Sequence, residues 1–205
     1  MILATEPGQG SKTNMVLFRN TLKSYGYDAV TMNRDGHTIG GGIALIVDKR
    51  WSKLPHTSKI YSPMKKEMRG RVLAVTFDNK VQGMHNKLLV IGLHGVNNAE
   101  QQEEDTIKML QWIQRQLTEF KRENPRATTM LLGDLNAAMT TFLDTDRQER
   151  YSQDRDDDEE ENDAFVLKEL EQMKLVDVFR ARFPTTKAVT RVGVAHTHRL
   201  LDRIM

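Results

Sequence analysis

The most informative segment of this sequence is Met130-Leu131-Leu132-Gly133-Asp134-Leu135-Asn136. An apolar run ends there in a carboxylate and a carboxamide two residues apart. Side chains at positions i and i+2 of an extended segment point the same way, so Asp134 and Asn136 can converge on one point. Carboxylate and amide groups suit a hard cation or a phosphate oxygen. The alternative is a plain strand-ending turn, because Asp and Asn are also common turn residues.

Apolar segments on both sides of this motif predict more strands than helices. Arg71–Phe77 and Lys87–Leu93 are almost wholly apolar, which is typical of strands covered on both faces. Between Asn97 and Phe120 apolar residues recur at helical spacing, which predicts a long amphipathic helix with Asn98 as its cap. Helices fall between strands, so we predict an α/β fold in which two sheets pack face to face with helices outside. The other predicted elements are strands at Ile2–Ala4, Asp28–Met32, Ile43–Val47, Thr129–Leu132, Thr186–Arg191, Val194–Thr197 and Leu201–Met205, and helices over 17–25 and 164–173.

Length and composition restrict the classes of protein to consider. The 205 residues are one domain's worth of chain, and we predict a single domain over residues 1–205. No apolar run is long enough to span a membrane and no signal peptide is visible, so a membrane partner is not expected. The absence of cysteine excludes disulfides, a thiolate nucleophile and a cysteine-based zinc site, and it fits an intracellular, reducing compartment.

The formal net charge of +2 hides an uneven distribution of charge. Eight of the ten residues from Asp154 to Asp163 are acidic and one is basic, which predicts an acidic loop at about 145–163. Without that run the chain has 29 basic and 20 acidic residues, a net charge of +9. Such a framework favours a polyanionic partner, although surface Lys and Arg are also commonly just solvated.

Polar residues interrupt the apolar segments at four predicted strand ends. Each has a plainer reading: Glu6 can solvate a loop, His94 can be a hydrogen-bonded core histidine, and Asp202 can pair with a neighbouring arginine. Together they predict one cleft, because strand ends on one rim of a sandwich converge. The four sites are Glu6, His94 with Asn97, Asp134 with Asn136, and Asp202.

In order and spacing these residues resemble the endonuclease/exonuclease/phosphatase superfamily, the deoxyribonuclease I-like enzymes. Its members include apurinic/apyrimidinic endonucleases, neutral sphingomyelinases, inositol polyphosphate 5-phosphatases, deadenylases and the endonuclease domains of non-LTR retrotransposons. The resemblance covers nearly the whole chain, and its last stretches are most similar to the retrotransposon endonucleases. The matching stretches are Leu3–Glu6, Gly41–Val47, Arg69–Leu73, Leu93–Asn98, Gly133–Asn136, Leu175–Arg180, Phe183–Thr190 and Leu201–Ile204.

The resemblance implies a two-sheet α/β sandwich that hydrolyses phosphate esters with Mg²⁺, or with Mn²⁺ in its place. An all-oxygen ligand set suits either ion better than zinc. By the resemblance, Glu6 and Asp134 would bind the metal ion, and Asp134 would also orient or deprotonate the attacking water. Asn136 would donate to a phosphate oxygen, while His94 would contact the phosphate or protonate the leaving group, with Asn97 supporting that contact. Asp202 would position the family's final catalytic histidine.

Several departures from the family pattern lower the expected activity. The family's first strand would precede Ile2 and its final Ser-Asp-His would follow Met205, so the sequence predicts a domain incomplete at both ends. Val96, Arg191 and Arg199 replace the family's Pro, Trp and Ser. General base catalysis contributes about 10²–10⁴-fold, so we expect DNA cleavage far below the rate of an intact homologue. The alternative base is His198, near Asp202.

Three functions remain open from the sequence. The main hypothesis is a Mg²⁺-dependent DNA endonuclease from a retroelement, nuclear in that case, with DNA as its substrate and its oligomeric state undetermined. The second keeps the fold and makes the substrate a phospholipid or an inositol phosphate. The third is a non-catalytic remnant that binds nucleic acid through its basic framework, with an affinity that falls steeply with salt.

Overall fold

The computed structural model describes residues 1–5, 12–33, 42–63, 70–79, 86–95, 103–135, 166, 168–183, 185, 191–192, 198–199 and 202–204. The chain divides into two compact units. The first comprises Met1–His94 and Gln111–Gly133, and the second comprises Gly95–Leu110 and Asp134–Met205. That residues 1–205 act as one domain stays a prediction. None of the described helices combines the length and the apolarity needed to cross a bilayer.

One sheet of the first unit has three strands in the order β1-β3-β2. The central strand is antiparallel to both neighbours, with Ala44 opposite Ala4 of β1 and Ile46 opposite Ala29 of β2. Every residue from Ile43 to Val47 is buried, which explains why the apolar run there needs no polar alternation. The elements of this part are β1 (Ile2–Thr5), α1 (Lys12–Ser24), β2 (Tyr27–Asn33), β3 (Ile43–Asp48) and the short α2 (Lys49–Ser52).

Four strands of the second sheet belong to this unit, in the order β7-β6-β5-β4. β5 pairs antiparallel with β4 and β6, and Val75 faces Ser58 on one side and Val90 on the other. A long helix connects β6 to β7 along the chain. The elements are β4 (His56–Ile60), β5 (Val72–Asn79), β6 (Asn86–His94), α3 (Glu103–Glu123) and β7 (Thr128–Asp134). Glu103 to Leu110 of α3 and Asp134 of β7 belong to the second unit.

The core of the first unit lies between these two sheets. β3 of the smaller sheet packs against β6 of the larger one. Phe77 is fully buried and meets the Trp51 ring edge-on, with 5.6 Å between ring centroids. Burial of apolar surface on this scale is the main favourable term in folding. The cluster comprises Ile43, Leu45, Val47, Leu73, Val75, Phe77, Val90 and Leu132.

The long helix has the apolar stripe that its sequence predicts. Ile113, Leu117 and Phe120 are buried in the first unit, and the Trp112 ring lies 5.8 Å from the Tyr61 ring. Acidic residues occupy its first turn and basic residues its last, an arrangement that the helix dipole favours. The cap predicted at Asn98 lies outside the described residues.

The second unit is described in short elements. Helical residues occur at 166 and 168–172, within the helix that the sequence predicts, and β8 pairs antiparallel with β9. β10 falls within the strand predicted at Leu201–Met205. Of the other two closing strands, Val194–Thr197 lies outside the described residues and Thr186–Arg191 is described only at Arg191. The elements are α4 (Val178–Arg182), β8 (Arg191–Val192), β9 (His198–Arg199) and β10 (Asp202–Ile204).

Two features of the first unit differ from what the sequence indicates. The sequence does not predict β4, because this strand contains one apolar residue and its five residues are all exposed. The helix predicted over 17–25 is present as α1, but Leu17 on its predicted apolar face is 65% exposed, and Tyr25, which directly follows the helix, is 76% exposed. Apolar periodicity therefore identifies the helix without showing that its apolar face is covered.

Candidate active site

His94 is the last residue of β6. It is 7% exposed, and its backbone N–H donates to the Arg71 carbonyl at 2.8 Å, which continues the ladder between β5 and β6. The sequence prediction of a histidine at a strand end is confirmed. Because the residue is buried and its backbone is held, its side chain has few rotamers to choose from.

Two glycines bring the strand ends close together. A Cβ on Gly133 would lie 1.8 Å from the Leu93 carbonyl oxygen, and one on Gly95 would lie 2.1 Å from the Leu135 carbonyl oxygen. Only glycine allows backbones to approach so closely. In both pairs the two residues are 40 positions apart in the sequence. A constant separation means that the two strands run parallel, so they end at the same edge of the sheet. Gly133 therefore belongs to the motif for a steric reason.

Asp134 is the last residue of β7 and is half-buried. Its carbonyl oxygen accepts a hydrogen bond of 2.7 Å from the Gly95 N–H. This bond lies within the second unit and joins the segment that follows β6 to the segment that ends β7. Asp134 thus occupies a backbone position fixed by a partner distant in sequence, and the strand-end position predicted for it is confirmed.

The other predicted site residues are described less fully. Asp202 is the first residue of β10 and His198 the first of β9, and in both cases the structure describes the backbone only. Glu6, Asn97 and Asn136 lie outside the described residues. The convergence of the whole set on one cleft stays a prediction.

The donor chemistry of the described part is consistent with a hard divalent cation. Asp134 offers carboxylate oxygens at a strand end where it is not fully buried, and such oxygens are the ligands that Mg²⁺ prefers. Within the described residues, no three His, Asp or Glu side chains are grouped closely enough to hold a metal ion. Among the described residues, Asp134 is thus the carboxylate that belongs to the predicted metal site.

The structure buries polar residues that the sequence analysis missed. Asp105 and Thr106, in the first turn of α3, are 8% and 1% exposed. They lie three to five positions before the buried Met109 and Leu110, so the helical period could have marked them. Asp177 is 7% exposed and its carbonyl accepts from the Ala181 N–H at 2.8 Å, which opens α4. The sequence signal for this burial was the position of Asp177 as a single carboxylate inside the apolar run Leu175–Phe179.

One buried amide belongs to the first unit. Gln116 of α3 is 8% exposed and borders a cavity of about 210 Å³ between α3 and the face of β4, β5 and β6. Thr57 and Lys59 of β4 line the same cavity. The face of the sheet beneath α3 is therefore polar near β4, in contrast to the apolar face inside the sandwich.

No protein-family model matches this chain, and no curated protein matches it. Solved structures do resemble it. The AP endonuclease LMAP from Leishmania major superposes with a TM-score of 0.65 at 14% identity, over 87% of this chain and 61% of that protein. The AP endonuclease from Archaeoglobus fulgidus gives 0.53 at 18% identity, over 91% and 68%. The human Nocturnin catalytic domain with bound sulfate gives 0.54 at 16%, over 96% and 66%.

The likeness to these structures concerns the fold. The chain spans about three fifths of the length of the Leishmania protein. Identities this low leave activity and substrate open. The fold class predicted from the sequence is confirmed: the chain has a two-sheet α/β fold with helices flanking the sheets, similar to these solved structures.

Proposed function

We propose that this chain hydrolyses phosphodiester bonds of DNA with a divalent cation, Mg²⁺ or Mn²⁺. The observation that most supports the proposal is the 2.7 Å hydrogen bond from the Gly95 N–H to the Asp134 carbonyl oxygen. It fixes the ends of two strands where the sequence carries its site motifs. The fold supports the same conclusion, because two structurally similar proteins are AP endonucleases.

Each site residue has a separate role in the proposed hydrolysis. Asp134 orients the attacking water and accepts its proton. His94 donates a hydrogen bond to the phosphate or a proton to the leaving oxygen, and its burial strengthens either interaction because the local dielectric is low. Asn136 donates its amide N–H to a phosphate oxygen, and Asn97 supports the contact made by His94. By the resemblance, Asp202 would position the histidine of the family's final Ser-Asp-His.

Glu6 and Asp134 are the residues that would hold the metal ion in this proposal. Both are carboxylates, and oxygen ligands favour Mg²⁺ or Mn²⁺ over zinc. When bound, the ion polarises the phosphate and stabilises the negative charge that develops on the leaving oxygen.

We further propose that the chain derives from a retroelement endonuclease. The support is in the sequence alone, in Leu175–Arg180 and Leu201–Ile204, whose patterns are most similar to those enzymes. Reading the genomic sequence after Met205 tests whether the nuclease domain is intact. An in-frame Ser-Asp-His would support an intact domain, and a stop codon with no such motif downstream would count against an intact nuclease gene.

The test of activity is the nicking of supercoiled plasmid, with and without abasic sites, in the presence of Mg²⁺ or Mn²⁺. Asp134→Asn keeps the size of the side chain and removes its charge. We expect nicking to fall by about 10²–10⁴-fold in this variant, the range typical of losing a general base. Chelation with EDTA should abolish nicking by the wild type.

Asp28→Asn provides the matched control, because Asp28 is a half-buried aspartate of β2 in the first unit and has no role in the proposal. It should nick at the wild-type rate. Equal nicking by wild type and Asp134→Asn would remove Asp134 from the mechanism. Turnover of sphingomyelin or a soluble inositol phosphate without any nicking would overturn the choice of DNA.

A further inference from the structure

β4 is an edge strand whose whole length is open to solvent. It ends the strand order β7-β6-β5-β4, and all five of its residues, His56 to Ile60, are exposed. An open edge exposes backbone donors and acceptors that another chain can pair with, and proteins usually protect such edges. The edge belongs entirely to the first unit and lies on strands that the proposed chemistry does not use.

The hydrogen bonds flanking β4 show which of its backbone groups face outward. The Asp78 N–H donates to the Pro55 carbonyl at 2.9 Å, and the Tyr61 N–H donates to the Val72 carbonyl at 3.2 Å. Hydrogen-bonded pairs alternate with non-bonded pairs along an antiparallel ladder. Thr57 and Lys59, which face Thr76 and Ala74, therefore bond to β5. The residues between and beside them point their N–H and C=O groups away from β5; they are His56, Ser58 and Ile60.

The neighbouring bonds of β5 agree with this assignment. The His94 N–H donates to the Arg71 carbonyl at 2.8 Å, so β5 bonds to β6 through the odd-numbered residues Leu73, Val75 and Phe77. These are the residues opposite Ile60, Ser58 and His56 in the β4 pairing. Within the described residues, the outward N–H and C=O groups of β4 make no backbone hydrogen bond. The edge thus offers three donors and three acceptors at a spacing of two residues.

The charge around this edge is basic. Between Lys49 and Ile60 there are four basic residues and no acidic one. Arg50 is paired with Asp48 at 2.9 Å, and Lys59 is paired with Glu119 at 3.3 Å. Lys49 and Lys53 are exposed and have no ion pair among the described residues, and Lys53 lies three residues before His56, where β4 begins. The lysine that would ordinarily repel a second strand is thus neutralised, and positive charge remains beside one end.

We propose that the outer edge of β4 binds an extended acidic segment of a partner protein by strand addition. The segment pairs its backbone with His56, Ser58 and Ile60, and its acidic side chains lie toward Lys53, at the end where β4 begins. Backbone bonds supply affinity in this mode of recognition and side chains supply specificity. A nucleic acid fits the edge less well, because phosphate oxygens only accept hydrogen bonds and would leave the three carbonyls unmet.

Binding is tested on the full chain with fluorescein-labelled peptides of alternating valine and threonine that carry three aspartates at one end or the other. We expect fluorescence anisotropy to report binding that weakens as salt rises. Ser58→Pro removes the central outward N–H and leaves the bonds to β5 intact, so affinity should fall at least about tenfold. Ser58→Thr, the matched control, should bind within about twofold of wild type.

Two further measurements test the charge and the register of the proposed contact. Lys53→Glu should weaken binding of the acidic peptides and strengthen binding of a peptide with lysines in place of the aspartates. In the wild type, bound peptide should slow amide hydrogen exchange at His56, Ser58 and Ile60, and change it little at Thr57 and Lys59. This alternation remains decisive if Ser58→Pro does not fold.

Four outcomes would overturn the proposal. One is unchanged peptide affinity in a folded Ser58→Pro protein. The second is amide protection that does not alternate along β4. The third is no peptide binding at about 1 mM, where even weak association is detectable. The fourth is a duplex oligonucleotide that binds this surface and loses affinity in Lys53→Glu while the peptides do not bind, which would make the edge a nucleic-acid surface.

Discussion

β3 and β4 are both antiparallel strands of the first unit, and they differ completely in exposure. β3 lies between two strands, and its residues from Ile43 to Val47 are buried. β4 has a single partner strand, and every one of its residues is exposed. Both are strands because a neighbour satisfies their backbone hydrogen bonds, but only β3 contributes a continuous apolar side-chain set to the core.

Within one sandwich, the buried strand β3 contributes to stability and the exposed strand β4 is available for binding. A strand buried on both faces can change little without leaving a cavity. An exposed edge strand contributes little apolar burial, so its side chains can vary and its backbone can meet another molecule. Substitutions that are matched between the two strands should show this separation directly.

Truncation in β3 should have the largest effect. Leu45 is fully buried in the core cluster, and Leu45→Ala should lower the free energy of unfolding by about 3–5 kcal/mol. Ile60 of β4 is 41% exposed, and Ile60→Ala should cost less than about 1 kcal/mol. Urea denaturation of both variants measures the contrast. Similar losses in the two variants would contradict the assignment of stability to β3.

Proline substitution at neighbouring positions of β4 should have the next largest effect. Thr57→Pro removes an N–H that bonds to β5 and should destabilise the protein by about 3 kcal/mol. Ser58→Pro removes an N–H that faces away from β5, so the cost should be below about 1 kcal/mol. Thermal unfolding followed by circular dichroism compares them. A larger loss for Ser58→Pro would reverse the register assigned to β4.

Removing the ion pair of β4 should have a small effect on stability. Lys59 and Glu119 are 3.3 Å apart, and both side chains are substantially exposed. Glu119→Gln should therefore change the free energy of unfolding by less than about 1 kcal/mol, and the change should shrink in high salt. Chemical denaturation at low and high ionic strength provides the measurement. A large loss that salt does not reduce would show that the pair is not screened by solvent.

The smallest effect should be a pH dependence at the end of β3. Asp48 caps α2 by accepting from the Arg50 N–H at 2.8 Å, and the side-chain hydrogen bond from Arg50 holds the pKa of the Asp48 carboxyl below its usual range. Because the folded pKa is depressed, this stabilisation is present above the unfolded pKa of about 3.9 and is lost as pH falls through the folded value. NMR titration of Asp48 in wild type and Arg50→Ala should show a higher pKa in the variant. Identical titrations would exclude Arg50 as the cause.

Much of the fold could be predicted because burial leaves a pattern in the sequence. The run Ile43–Val47 and the period of α3 each identify an element that is buried as predicted. The sequence of β4 has no such pattern, because hydrogen bonds to β5, and not buried apolar side chains, hold this segment in an extended conformation. The same limit applies to α1, where apolar spacing indicated a helix but could not show that Leu17 would be exposed.

The candidate site could be predicted as far as chain order determines it. His94 and Asp134 end β6 and β7, as expected from polar residues that close apolar runs. The steric role of Gly95 and Gly133 could not be predicted, because each contacts a residue forty positions away in the chain. Buried Asp105 and Asp177 each had a sequence signal, the period of α3 and an apolar run, but these patterns do not identify the surrounding groups that allow a carboxylate to be buried.

The close approach of Gly133 to Leu93 has a consequence for how the chain could be lengthened. The alignment of these two strands is set where their backbones meet, so it does not depend on the number of residues that connect them. Pro125 and Arg126 form an exposed turn before β7. A few residues inserted at that turn should leave the alignment of the two strands unchanged, since exposed turns are where insertions are tolerated.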